Sequence, residues 1–474
     1  MKKTILTLVA FCLTAWCAPA MAQHTPGCTT AESVASHYTN LPVTLSQPQL
    51  PSIPDTRVSL TDFGAKGDGI TLCTDAFAQA IEHLSQKGGG HLVVPDGIWL
   101  TAPITMRSNI DINIARNAII LFTPDKTLHA NKSNKTKKAV VPGIHAYDCH
   151  DISITGSGTI DGNGAYWRPV KRSKVSDYEW KRFTQMGGTL SEKGDVWYPY
   201  NLKGVANMEK TPSKEANTRA DLVRFEDCQR VLIDGVTVQN SPRFHVHPCY
   251  CEDVVVTKVT IRCPWNAQNG DALDLTNCRK ALLAHNTIDC GDDGLCMKAG
   301  IGEKGLKDGP CKDILIIDNT VLHAHGGFVI GSDVSGGMEN IVVKNNRFMG
   351  TDIGLRFKSS YGRGGATKNI YIEDIYMTDI VDDAIHFETT YENKQIGVDA
   401  NGGATQLFAP DFKDIHIKRV TCRGAENAIS AHGEEGMVHD ITIENSTFYY
   451  KKNATDIDDA CKITTRNVTM TKGI

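Results

Sequence analysis

The chain is poor in several things, and each shortage excludes a class. After residue 22 no apolar run approaches the eighteen or so residues that a membrane helix needs, so neither a spanning helix nor a membrane partner is expected. Positive charge is not in excess, since 50 Lys and Arg stand against 54 Asp and Glu, and that balance argues against nucleic acid as a partner. Long helical periodicity is also missing. The repeats described below alternate with period two, which excludes ankyrin-type and other helical arrays. Aromatic residues (7%) and charged residues (22%) are at ordinary levels for a folded soluble protein. By length, 474 residues allow three domains or one large β architecture, and 42 glycines favour an architecture with many turns.

The first residues, MKKTILTLVAFCLTAWCAPAMAQ, have Lys2 and Lys3, an apolar run, then Ala20-Met21-Ala22. This is the pattern of a secretory signal over 1–22, cleaved before Gln23. Cys12 and Cys17 follow the bulky Phe11 and Trp16, which does not suit lipid attachment. The expectation is therefore an exported protein, periplasmic or secreted, soluble and monomeric. Loss of Lys2 and Lys3 takes the formal net charge from −4 to −6, so any polyanion it bound would need local positive charge. Thirteen cysteines remain, an odd number that leaves at least one without a partner in the chain. Their spacing follows the repeat, which favours a stacked column of buried thiols over metal ligation.

Residues 23–57 are polar, proline-rich and aperiodic, and read as an extended lead before a single domain over 58–474. Thr74 and Asp75 offer a helix N-cap, Phe77, Ala80, Ile81 and Leu84 fall at helical spacing, and Gly88 to Gly90 end the helix. One amphipathic helix ahead of an all-β body predicts a cap over one end of the core. From Cys149 onward one strand grammar recurs in DCHDISITG, DCQRVLIDG, YCEDVVVTK, NCRKALLAH, PCKDILIID, GMENIVVKN, ATKNIYIED, DFKDIHIKR and MVHDITIEN. Starts at Cys228, Cys251, Cys278, Cys311, Met338 and Thr367 lie 23, 27, 33, 27 and 29 residues apart. Irregular spacing around a fixed strand predicts coils of a solenoid with variable loops. The segment 163–218 interrupts the repeat with Tyr166, Trp167, Tyr178, Trp180, Trp197, Tyr198 and Tyr200, and reads as an excursion beside a groove.

A second strand family follows: ALDLT (272–276), GLCMK (294–298), GFVIG (327–331), GLRFK (354–358), AIHFE (384–388) and AISAH (428–432). Alternation sends Leu273, Leu295, Phe328, Leu355, Ile385 and Ile429 inward as one column. The same alternation sends Asp274, Cys296, Arg356, His386 and Ser430 outward, with Thr276, Lys298, Lys358, Glu388 and His432 as a second outward column. Asp271 and Asp293 sit just ahead of adjacent strands and should fall on adjacent rungs, about 4.8 Å apart. Neighbouring residues of a plain strand face opposite ways, so Asp292 and Asp293 can share a cleft only at a turn or bulge, which Gly291 and Gly294 permit. Crowded carboxylates resist joint ionisation, so one of the three should keep a proton.

These residues resemble glycoside hydrolase family 28, the polygalacturonase-like family. Its four short signatures correspond here to Asn269-Gly270-Asp271, Gly291-Asp292-Asp293, His325-Gly326 and Arg356-Phe357-Lys358. FGAKGDG (63–69), GSGTIDGNG (156–164) and NSPRFHVHP (240–248) are similar to the family too. Gly270 and Ala272 depart from it, standing where Thr and Gly are usual; both replacements are small and spare the carboxylates. The resemblance implies an all-β, single-stranded right-handed parallel β-helix that hydrolyses α-1,4-galacturonosyl linkages of pectic polysaccharide with inversion, without cofactor or metal. By analogy Asp292 is the general acid, which its two negative neighbours should push upward, and Asp271 and Asp293 activate the attacking water. His325 tunes Asp292 or binds substrate, and Arg356 and Lys358 hold the sugar carboxylate from an outward strand face. Asn269, Lys298, His386 and Tyr391 are further substrate-binding candidates. The excursion favours exo action by closing one end of the groove. Rhamnogalacturonan hydrolysis, a calcium-dependent pectate lyase and a non-catalytic carbohydrate-binding β-helix are the competing readings.

Overall fold

Each repeat becomes one coil of a right-handed parallel β-helix, because each short alternating run buries one face only when it stacks on its neighbours. The computed structural model describes residues 29–131, 140–200, 218–391 and 408–473, so the expected leader and residues 201–217 of the excursion lie outside the described residues. A parallel network joins 31 strands. Three strand columns run its length. One holds Val223–Glu226, Val246–Cys249, Leu273–Thr276, Leu295–Lys298, Gly326–Ile330, Ile353–Lys358 and Asp383–Glu388. A second holds Gln229–Asp234, Glu252–Thr257, Arg279–Ala284, Cys311–Ile317 and Met338–Lys344. The third consists of three- and four-residue strands such as Thr260–Arg262, Thr287–Asp289 and Thr320–His323.

The expected inward column is present rung by rung: Leu273 pairs with Leu295, then Phe328, Leu355, Ile385 and Ile429 follow, all fully buried. Beside it Phe357 and Phe387 stack with ring centroids 4.4 Å apart. At one turn Asn286, Asn319 and Asn346 form a buried ladder in which each amide oxygen accepts from the preceding rung, so polar groups that cannot reach water satisfy one another. The thiol column also forms. Cys149, Cys228, Cys251, Cys278 and Cys311 each precede equivalent strand residues on successive rungs, all are unbridged, and all but Cys149 are buried.

Two N-terminal features differ from expectation. The lead is not wholly extended: α1 (Ala31–His37) forms there, because Thr30 and Ser33 close a capping box that aperiodic apolar spacing does not reveal. Val34 and Leu45 then cover Leu232, Val255, Leu282, Leu315 and Val342 on the outer face of the second column. The cap helix α2 (Thr74–Gln86) buries Phe77, Ala80, Ile81 and Leu84 as expected, but its N-cap position is Cys73. The Thr74 hydroxyl accepts instead from the Ala102 N–H at 2.8 Å, tying the helix to the first coils. Within the excursion, α3 (Asp177–Gln185) and a small antiparallel sheet of Val170–Lys171, Val196–Tyr198 and Thr189–Leu190 stand apart from the coils. Trp167 and Trp197 are buried packing residues there, while Tyr166 and Tyr178 are exposed.

Candidate active site

The strand register brings the three carboxylates together. Ala272 donates its N–H to the Asp293 carbonyl at 2.9 Å, and Leu273 pairs with Leu295, so Asp271 and Asp293 occupy equivalent places on adjacent rungs. The loop over 263–270 folds back against Gly291, where a Cβ would lie 2.5 Å from the Pro264 oxygen. That close approach, not a left-handed backbone, is why glycine precedes the aspartate pair. The Asn269 N–H then donates to Asp292 Oδ2 at 2.9 Å and fixes its carboxylate in the same cleft.

The cleft holds a cavity of about 350 Å³ lined by Asp271, Asp292, Asp293, His325, Lys298 and Lys358, with Asn269 and Tyr391 at its wall. Asp293 accepts from Lys358 Nζ at 2.7 Å and faces Arg356 Nη1 at 3.5 Å. Asp271 accepts from Lys298 Nζ at 3.3 Å through Oδ2, while its buried Oδ1 has no hydrogen-bond partner. Lys298 is shared with Asp274, a carboxylate at its ion-pairing distance, and with the Cys296 sulfur at 2.9 Å.

These partners split the two equivalent aspartates. Burial works to raise Asp293, but the Lys358 and Arg356 cations hold it far below the usual carboxylate range. Burial, then the Asp274 and Asp292 charges, push Asp271 well above that range against Lys298. Burial also raises Asp292, yet the His325 contact leaves it lowered. The expectation that Asp292 is pushed upward is therefore corrected: of the two, Asp271 is the carboxyl pushed up and Asp292 the one lowered. The His325 contact is itself conditional. His325 Nδ1 lies 3.7 Å from Asp292 Oδ1, beyond a full hydrogen bond, and only 3.1 Å from Arg356 Nη1.

The other expected residues divide. Tyr391 is placed over the cations, its ring centroid 4.9 Å from Lys358 Nζ and 5.6 Å from the Arg356 guanidinium carbon. Arg356 and Lys358 do point away from the hydrophobic core, but loops cover them and each is only 5% exposed. Both are buried against Asp293, so they hold the site together as well as charge it. The Asn269 side chain accepts from Arg219 at 2.9 Å, and Lys298 is committed to Asp271 and Asp274, so both arrange the site as well as line it. His386 sits one rung beyond Arg356, 2.6 Å from Asp383, and neither His386 nor Arg356 is among the residues that line the cavity.

Three cations of the cavity lining escaped sequence reasoning. Lys171 and Lys174 enter the cavity from the excursion, with Lys174 Nζ 3.3 Å from the Gly291 carbonyl, and Arg363 enters from the loop after Lys358. Nothing in their local pattern distinguishes them from ordinary surface cations. Asp292, Asp293 and His325 have donor atoms within 4.8 Å of one another. A metal there would compete with Lys358 and Arg356, which already face both Asp293 oxygens.

Residues 174–469 match the family model for glycosyl hydrolases family 28. A Vitis vinifera protein described as a probable polygalacturonase is 29% identical over 67% of this chain, and the chain spans 60% of its length. An exo-poly-alpha-D-galacturonosidase of Dickeya chrysanthemi is 26% identical over 85% of this chain and 68% of its own. Among solved structures, the exopolygalacturonase of Thermotoga maritima superposes with a TM-score of 0.74 at 29% identity, covering 90% of this chain and 94% of that one.

Proposed function

This chain belongs to glycosyl hydrolases family 28, and on that premise we propose that it is an exported enzyme that hydrolyses α-1,4-galacturonosyl linkages of pectic polysaccharide, with inversion and from a chain end. The observation that supports this most is one cavity combining Asp271, Asp292 and Asp293 with Lys298 and Lys358, in a chain of net negative charge. A uronic acid polymer needs local cations for its carboxylates and paired carboxyls for glycosidic cleavage. Lys171 and Lys174 in the cavity lining favour terminal attack, since they bring from the excursion cations that suit the carboxylate of an end sugar. The Dickeya and Thermotoga relatives carry exo names.

Asp292 protonates the leaving oxygen, and Asp271 and Asp293 hold the water on the opposite side of the sugar, with Asp293, held low by Lys358 and Arg356, taking its proton. Arg356 and Lys358 bind the sugar carboxylate, which competes with Asp293 for their charge. A bound galacturonate adds a negative neighbour and excludes water, and both changes raise Asp292 toward the protonated state that its role requires. His325, by shifting between Arg356 and Asp292, sets how tightly that proton is held.

Digestion of oligogalacturonides of known length, with products followed over time, tests the reading. Monomer or dimer should appear from one end from the first turnover, with inverted anomeric configuration. An unsaturated, ultraviolet-absorbing product would establish elimination instead, retained configuration would remove the inverting scheme, and an early ladder of internal fragments would remove the exo assignment. Faster release from rhamnogalacturonan would move the substrate to that chain.

A further inference from the structure

We propose that His37, His285 and Asp318 form a binding site for one divalent cation of zinc type, which clamps the N-terminal segment onto the β-helix. Their donor atoms lie within 4.8 Å of one another. His37 is the last residue of α1. His285 and Asp318 occupy the same turn on successive coils: the His285 N–H donates to the Ile317 carbonyl at 3.3 Å, and both residues have a positive φ, 58° and 59°. The His37 and His285 ring centroids are 5.0 Å apart, and His285 Nε2 lies 3.9 Å from Asp318 Oδ2.

The surroundings orient this set. Asn345, at the same turn one coil further on, donates its amide to Asp318 Oδ1, so Oδ2 is the oxygen left facing His285. Such a second contact fixes a ligand's free atom. Lys258, one coil earlier at this turn, is an opposing charge, and it is turned toward Thr29 Oγ1 at 3.1 Å and Asp234 at 3.7 Å. Two imidazoles and one carboxylate suit zinc, cobalt or nickel over calcium or magnesium, which prefer oxygen ligands. Zinc bonds of about 2.0–2.2 Å draw such donors closer together than they stand here, and His285, being exposed, is free to make that swing. The site belongs to the second strand column and its turns, away from the Asp292 cleft, and joins a helix near the start of the described chain to two coils 248 and 281 residues later, counted from His37 to His285 and Asp318.

The test is calorimetric titration of zinc into the mature protein, with cobalt substitution followed by visible absorption and thermal unfolding. One equivalent should bind, cobalt should give the intense bands of a low-coordinate nitrogen–oxygen site, and the melting temperature should rise. His285→Ala and Asp318→Asn should each abolish all three effects while basal hydrolysis is unchanged; Asp318→Asn is nearly isosteric and keeps the test open if His285→Ala misfolds. His325→Ala should leave metal binding intact. Absence of binding in the unmodified protein overturns the proposal. Binding that survives Asp318→Asn but is lost in His325→Ala overturns it too, by placing the cation in the catalytic cleft.

Discussion

The two faces of one strand column obey different rules. On the inner face Leu273, Leu295, Phe328, Leu355, Ile385 and Ile429 repeat a single instruction, and each is fully buried. On the outer face Asp274, Cys296, Val329, Arg356 and His386 follow one another in the same register with no repetition at all. The inner face needs only apolar volume at a fixed spacing. The outer face uses that spacing to place unlike groups a rung apart, and their neighbours then set their charge. Asp271 and Asp293 are the sharpest case: equivalent places on adjacent rungs, one pushed up by burial and two carboxylates, the other held down by two cations.

The harshest way to break the inner rule is Leu295→Asp. It puts an unpaired charge where no side chain is exposed, and the protein should fail to fold, seen as loss of cooperative thermal unfolding. An active, folded Leu295→Asp protein would mean that the column is not the core.

On the outer face, Asp292→Asn should lower cleavage of natural polygalacturonate by about 10²–10⁴-fold, with folding intact. A substrate carrying a good leaving group should suffer less, because its departure needs less protonation. Equal loss on both substrates would take the acid role from Asp292.

The pair of equivalent aspartates should respond to one substitution with opposite signs. Asp293→Asn leaves Lys358 buried without its carboxylate and should cost about 3–5 kcal/mol of stability. Asp271→Asn removes a group whose charge the fold opposes, and near neutral pH it should keep or raise the melting temperature, although activity falls. The pH dependence follows from the same signs. Asp293, held low, contributes stability present above its unfolded pKa of about 3.9 and lost as pH falls toward its folded value. Asp271, held high, contributes stability present below about 3.9 and lost as pH rises through its raised value. Melting curves of both variants from acid to neutral pH measure this; shifts of the same sign would refute the split.

The smallest effect belongs to the excursion. Lys174→Ala should raise KM by roughly fivefold, equivalent to about 1 kcal/mol, and should release longer products as the closed end loosens. Unchanged products would assign Lys174 to packing against Gly291 alone.

The repeat by itself determined the solenoid, the inward column, the thiol ladder and the meeting of Asp271 with Asp293, because a period of two and a stacking distance leave few other arrangements. It also placed Arg356 and Lys358 on one outward face. What it did not determine were the states of those groups. Whether Lys358 waits for a sugar or pairs with Asp293, whether Asp292 or Asp271 holds the proton, and whether His386 reaches the cavity depend on burial and on charges brought in by loops. Lys171 and Lys174 enter from an excursion whose local pattern carries no register. Register is a property of neighbouring residues and can be read from them. Electrostatics sums over everything within several ångströms, and only the folded chain decides what that includes.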